Sequence, residues 1–169
     1  MRVTYPKPSE SKAPCPVILW SHGMFGSKDG YQPLVRYWAS HGYIVIQPTH
    51  EDSLALGNTT FGDFASGSQY WKTRPVDVVF LLNSLGTIAE EVKGLPEMDK
   101  SKLAVGGHSF GAHTTMLLSG VQAKSNLRLL REEYDSFLED RFVCTLMISP
   151  QGPGPMFTKK SYQVLPNLR

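Results

Sequence analysis

A serine between two glycines sits where a short apolar run gives way to a helix-like stretch: Leu103-Ala104-Val105-Gly106-Gly107-His108-Ser109-Phe110-Gly111-Ala112-His113. Gly-x-Ser-x-Gly at such a junction is the pattern of a nucleophile elbow, in which a strand ends, the chain turns sharply and a helix begins. A serine hydroxyl is a poor nucleophile unless it is exposed and aimed at a base, and the sharp turn supplies the exposure. Side chains at 107 and 111 would crowd the neighbouring strand and helix in so tight a turn, which gives both glycines a steric reason. At the helix N-terminus Ser109 also meets the positive end of the helix dipole, which favours negative charge developing nearby. The pattern arises by chance in about one chain in twenty of this length. The surrounding elements must therefore decide between an elbow and a glycine-rich loop holding an ordinary serine.

Val17-Ile18-Leu19-Trp20 is a continuous apolar run, as expected of a strand buried on both faces. It leads into Ser21-His22-Gly23-Met24-Phe25-Gly26, a loop at the C-terminal end of a strand, the edge where open parallel sheets bind ligands. Tyr31 to His41 carries Leu34, Val35 and Trp38 at helical spacing, with Gly42 as its stop. Tyr43 to Ile46 reads as the next strand. Pro48 to Lys72 is long, polar and aromatic with little periodicity, and loops of that length are usually functional or disordered. Its Phe61, Phe64, Tyr70 and Trp71 favour a pocket wall, or a loop pinned to the core, over disorder.

A helix is expected from about Pro75, with Val76, Val79 and Phe80 as its apolar stripe and Gly86 as its end. Thr87 to Glu97 adds another turn or two. The helix after the elbow carries Ala112, Met116 and Leu117. Asn126 to Phe142 reads as an amphipathic surface helix, with Leu127, Leu130, Tyr134, Phe137 and Leu138 on one face. Its Arg128, Arg131, Glu132, Asp135 and Glu139 form a solvated face. Val143 to Ile148 reads as a strand buried on both faces, and Ser149 to Pro155 breaks all periodicity. Strands alternating with helices, without repeats or hairpin signals, predict an α/β class: one domain over 1–169 with a mostly parallel, doubly wound sheet and flanking helices.

The bulk numbers agree with a globular domain able to bury a core: 169 residues, 41% hydrophobic and 19% charged. A net charge of +2 and the lack of any Lys/Arg-dense run argue against a nucleic-acid surface. No apolar stretch approaches bilayer length, so no transmembrane segment is expected. Met1 to Pro6 has no apolar signal-peptide core, and the compartment stays open. Two cysteines are too few for a disulfide framework. Cys144, inside an apolar run, is expected to be a buried thiol; Cys15, between two prolines, is not placed as a nucleophile, and a bridge between the two is the less favoured reading. The five histidines show no metal-ligand spacing, and neither metal nor cofactor is expected.

Trp20-Ser21-His22-Gly23-Met24, Ala39-Ser40-His41-Gly42-Tyr43 and Gly106-Gly107-His108-Ser109-Phe110-Gly111-Ala112 together resemble the α/β-hydrolase superfamily. Pro48 to Ser53 and Ile148 to Gly152 extend the likeness, which runs from about Val3 onward. Within the superfamily the chain is most similar to platelet-activating-factor acetylhydrolases and to cutinase-like polyester hydrolases and dienelactone-hydrolase-like enzymes; dienelactone hydrolases proper carry a cysteine where Ser109 stands. The resemblance implies a carboxylic-ester hydrolase that forms an acyl-enzyme on Ser109 and acts on a small-molecule ester. It implies the backbone N–H groups of Met24 and Phe110 as the oxyanion hole, with His108, Phe25 and Trp71 as substrate-binding residues. His22 then positions its loop, because triad order on this fold is Ser, acid, His. His113, one helical turn below Ser109, is expected to be a packing histidine.

One feature departs from that family. After Ser109 the acids are Glu132, Glu133, Asp135, Glu139 and Asp140, all in or beside the expected surface helix, and His113 is the one later histidine. Where some acetylhydrolases place a triad acid, this chain has Ser149 and Pro150. The chain therefore reads as the N-terminal two-thirds of an incomplete α/β-hydrolase fold, with acid and base beyond residue 169 and negligible activity as a fragment. In subtilisin, loss of the catalytic histidine costs about a million-fold. The alternatives are a non-catalytic ligand- or partner-binding domain, and an acyltransferase or peptidase on the same fold.

Overall fold

The computed structural model describes residues 1–7, 14–57, 70–124 and 133–163. In chain order they form β1 (Arg2–Thr4), β2 (Cys15–Ser21), α1 (Gln32–Ser40), β3 (Ile44–Gln47), α2 (Tyr70–Asn83), α3 (Leu85–Glu91), β4 (Met98–His108), α4 (Phe110–Leu118), β5 (Ala123–Lys124), β6 (Tyr134–Asp135) and β7 (Phe142–Ile148). Short 3-10 turns lie at Leu54–Leu56 and Lys159–Tyr162. The main sheet runs β1-β3-β2-β4-β7; β1 is antiparallel to β3 and every other pair is parallel. The expected α/β architecture is present.

Alternation along β2 divides the core between two faces. Cys15, Val17 and Leu19 pack with Val78, Leu81, Leu82, Leu85 and Ile88 of α2 and α3. Trp20 packs on the other face with Val35 and Val45, flanked by Ile18, Leu34 and Trp38. Gly42 follows α1 with φ 91, a backbone angle suited to glycine at a helix end. α4 is buried along its whole length, as expected of a helix that is apolar all round.

Several expectations are corrected. α2 begins by Tyr70 with Pro75 inside it, and Gly86 lies within α3 rather than ending a helix. Its inward face is Arg74, Pro75, Val78, Leu81 and Leu82, while Val76 and Phe80 of the expected stripe are 59% and 67% exposed. The surface helix over Asn126–Phe142 is absent from its described part. Tyr134 and Asp135 instead pair with Lys124 and Ala123, and Phe137 packs edge-on against Trp71; residues 125–132 lie outside the described ones. β7 is the last strand of the described sheet and is not buried on both faces: Val143 is 68% exposed and Leu146 44%. Cys144 is accordingly exposed rather than buried, Cys15 is buried, and no disulfide joins the two.

Candidate active site

Parallel pairing puts the C-terminal ends of β2, β3, β4 and β7 at one edge. Ser21 sits opposite Gly107, and Gly107 and His108 sit opposite Met147 and Ile148. The elbow forms there. Ser109 is the N-cap residue of α4 with φ 54 and ψ −114, and its side chain is exposed. Its amide donates to Ile148 O at 2.9 Å. A Cβ at 107 would overlap the Gly111 backbone, and one at 111 would overlap the carbonyl of Ser21. Both glycines therefore allow the helix start to press onto the end of β2. Phe25, Tyr31, Ser109 and Ser149, the non-glycine residues with positive φ among those described, all lie at this edge. Such strain persists only where surrounding structure holds it.

Behind the loop at 22–26 lies a buried polar network that sequence reasoning missed. Arg74 of α2 is fully buried and forms a bidentate pair with Asp52, Nε to Oδ1 at 2.9 Å and Nη2 to Oδ2 at 2.7 Å. Its remaining N–H groups reach His22 O at 2.6 Å and Gly23 O at 3.2 Å, with a longer approach of 3.5 Å to Ser21 Oγ. Its guanidinium also lies 4.3 Å over the Phe110 ring. Asp52 Oδ2 accepts from the Phe25 amide at 3.2 Å. Burial opposes ionisation of Asp52, but the hydrogen bonds and charge of Arg74 outweigh it and hold the carboxyl below its ordinary value.

The tautomers follow from the partners. His22 Nε2 accepts from the His50 amide at 3.0 Å, so Nδ1 carries the proton and donates to Gly23 O at 2.7 Å. The 3.3 Å separation of Arg74 Nη2 from that Nδ1 then sets donor against donor and is not a hydrogen bond. Burial, reinforced by Arg74, lowers the pKa of His22 and drives that of His50 well down, so both rings are neutral near pH 7. Arg74 has no acceptor, so Ser21 Oγ accepts from it and donates to His50 Nε2 at 2.9 Å. His50 Nδ1–H then faces Asp77 Oδ2 at 2.7 Å.

Ser21-His50-Asp77 thus has the connectivity of a catalytic triad. Ser21 and His50 are 0% exposed, however, and no substrate reaches them. They are scaffold. The signal in the sequence was faint: His50 and Asp52 within an aperiodic stretch, and Arg74 and Asp77 three apart on a helix.

The expected site residues are placed as follows. His108 is half-buried beside Ser109, its Nδ1 2.8 Å from the Tyr31 hydroxyl. Phe25 is half-buried in the loop with φ 63. Met24 is 37% exposed, and among the described residues no acceptor is found for its amide. Trp71 packs against Phe137 at 6.1 Å under Lys72, within the cluster of Met116, Leu117 and Phe157 rather than with Tyr31 and His108. No group of three or more potential metal ligands occurs among the described residues, and no described helix is long and apolar enough to cross a membrane.

His113 is buried between Phe110 and Phe157, and its Nε2 has no partner among the described residues. Burial, then the charge of Arg74, lowers its pKa from 6.5 to about 4. The unfolded chain takes up a proton near 6.5 that the fold refuses until about 4. This stabilisation is complete above pH 6.5 and lost as the pH falls toward 4, a difference of about 3 kcal/mol. Asp77 acts with the opposite sign: burial pushes its carboxyl from 3.8 up to about 6, so its contribution is present below 3.8 and lost as pH rises through 6. Urea melts at pH 7 and pH 4 should show a smaller loss for His113→Phe than for the wild type. Equal losses would refute the assignment.

A family model described as chlorophyllase matches residues 3–131. A fission-yeast protein (Schizosaccharomyces pombe) described as "Putative phospholipase A2" is 26% identical over 157 residues, covering 65% of this chain and 36% of that protein. The chain thus spans about a third of that curated relative's length. Among solved structures, a ferulic acid esterase from Streptomyces cinnamoneus aligns at 22% identity and TM-score 0.42, over 62% of this chain and 32% of its own. Oligopeptidase B from Trypanosoma brucei aligns at 18% and 0.49, over 87% and 18%. Esterase B from Lactobacillus rhamnosis aligns at 18% and 0.48, over 85% and 42%. With the family match spanning the loop after β2, the Arg74 network and the elbow, this chain belongs to the chlorophyllase family, within the α/β-hydrolase superfamily.

Proposed function

We propose that the full-length protein is a carboxylic-ester hydrolase in which Ser109 attacks the ester carbonyl of a small molecule to form an acyl-enzyme. The observation that carries this is an exposed serine at a strained strand-to-helix turn, beside a loop whose carbonyls are drawn inward. Gly23 O is anchored by His22 Nδ1–H and Arg74. The peptide between Gly23 and Met24 is planar and trans, so the Met24 N–H is directed away from that buried network. With the Phe110 amide at the first turn of α4, it forms the oxyanion hole. Preorganised donors of this kind are commonly the largest single catalytic contribution. His108 and Phe25 flank the reacting ester, whereas Trp71 packs against Phe137 and supports the neighbouring core.

Acyl transfer also needs a general base. Among the described residues no histidine shares a hydrogen bond with Ser109: His22, His50 and His108 are engaged elsewhere and His113 is buried. That observation favours a second reading, a non-catalytic domain that binds a ligand in the cleft. A fluorophosphonate probe on the full-length gene product decides between them. Adduct on Ser109, found by peptide mass spectrometry, is expected; a folded protein left unlabelled would support the binding domain.

A further inference from the structure

Tyr31 precedes α1 in a left-handed conformation, φ 62 and ψ 23, and makes no side-chain cap to that helix. A bulky residue adopts such angles only when neighbouring contacts hold it there. Its ring packs edge-on against Trp20, 5.5 Å between centroids. Its hydroxyl lies 3.1 Å from the Gly23 amide and 2.8 Å from His108 Nδ1. A Cβ at 23 would come within 3.3 Å of both that hydroxyl and His108 Nδ1, so the loop backbone closely approaches the elbow here. One oxygen therefore holds the residue ahead of Met24 and the residue ahead of Ser109.

We infer that Tyr31 is a positioning residue that sets the separation between the Met24 oxyanion donor and the Ser109 nucleophile by bonding Gly23 and His108 at once. The inference rests on acyl transfer at Ser109. Gly23 N–H donates to the phenol oxygen, and the phenol hydrogen goes to His108 Nδ1, leaving the ring proton on Nε2. The carbonyl of Gly23 is fixed from the core side by His22 and Arg74, and its amide from the cleft side by Tyr31. Tyr31 thus holds the 22–23 peptide, and His22 with Arg74 hold the 23–24 peptide that carries the Met24 N–H, so the backbone is fixed on both sides of the Gly23 Cα. A donor so held needs no reorganisation as charge develops. Tyr31 itself touches neither oxyanion nor hydroxyl.

The test is fluorophosphonate inactivation of the full-length protein, separating the limiting rate from the half-saturating concentration. Tyr31→Phe removes one oxygen and should lower the limiting rate about tenfold, equivalent to about 1.4 kcal/mol, with half-saturation within about twofold. His108→Ala should fall at least as far, since it also loses its contact with the ester, and adding Tyr31→Phe to it should cost nothing more, because the coupling is already gone. His108→Asn, which returns an acceptor near the position of Nδ1, should recover most of the rate. Wild-type rates in Tyr31→Phe, or losses that multiply in the double variant, would overturn the inference. If Tyr31→Phe does not fold, His108→Asn no faster than His108→Ala overturns it instead. No label on wild-type Ser109 removes the acyl-transfer reading and this inference together. Label on Ser109 with an unaffected Tyr31→Phe removes the inference alone.

Discussion

Ser109→Ala, in the full-length gene product, is expected to lower ester turnover by about a million-fold while leaving thermal stability within a few degrees. The two halves of this expectation have separate causes. Ser109 is exposed and its side chain caps nothing in α4, so losing Oγ opens no cavity and breaks no packing. Alanine carries the same Cβ as serine, so the strain at φ 54 is unchanged. The elbow depends on Gly107 and Gly111, which the substitution does not touch. Turnover, by contrast, depends wholly on Ser109 in the proposed mechanism. A residual rate above solvent hydrolysis is expected, because the proposed oxyanion hole and substrate binding would still act without the serine. Hydrolysis of a p-nitrophenyl ester with circular-dichroism melts would check both halves. A variant keeping more than about a hundredth of wild-type turnover would place the nucleophile elsewhere.

The elbow was legible because its constraints are local. Gly107 is dictated by a contact with Gly111 within five residues of chain, although Gly111 itself answers to the distant Ser21 carbonyl, and the apolar runs of β2, β3 and β4 betray buried strands without reference to anything distant. Where two helix faces are both apolar, periodicity cannot choose between them. Val76, Val79 and Phe80 fitted the expected stripe of α2 as well as Val78, Leu81 and Leu82 did, and the position of Arg74 settled which face turned inward. Residues 134–141 failed for a related reason. Tyr134, Phe137 and Leu138 satisfy helical spacing, but Tyr134 pairs with Lys124 and hydrogen-bonds Thr158, partners that spacing alone does not reveal. The buried network was the least legible. Asp52 and Arg74 lie 22 residues apart, and charged residues in an aperiodic segment read as solvated until the fold closes over them.

Asp52→Asn is expected to destabilise the protein by about 3–5 kcal/mol, because it leaves a buried guanidinium without its counter-charge. Arg74 stays protonated: burial lowers its pKa, yet a guanidinium does not give up its proton in a folded protein. Arg74→Met should cost less. The carboxyl it strands takes up a proton instead, and the methionine fills part of the space. The paired change Asp52→Leu with Arg74→Met should recover much of the stability, since well-packed apolar residues often replace a buried ion pair at little cost. It should not recover turnover. His22 O and Gly23 O would lose the donors that draw them inward, and the Phe25 amide would lose its acceptor. The Met24 N–H would then no longer be held in one direction. Urea melts beside esterase assays separate the two roles: stability restored with activity still lost marks the ion pair as the anchor of the oxyanion loop. If Asp52→Asn costs less than about 1 kcal/mol, the pair is not desolvated as described. If the paired variant regains full turnover, the loop holds its shape without Arg74, and the proposed direction of the Met24 amide needs another cause.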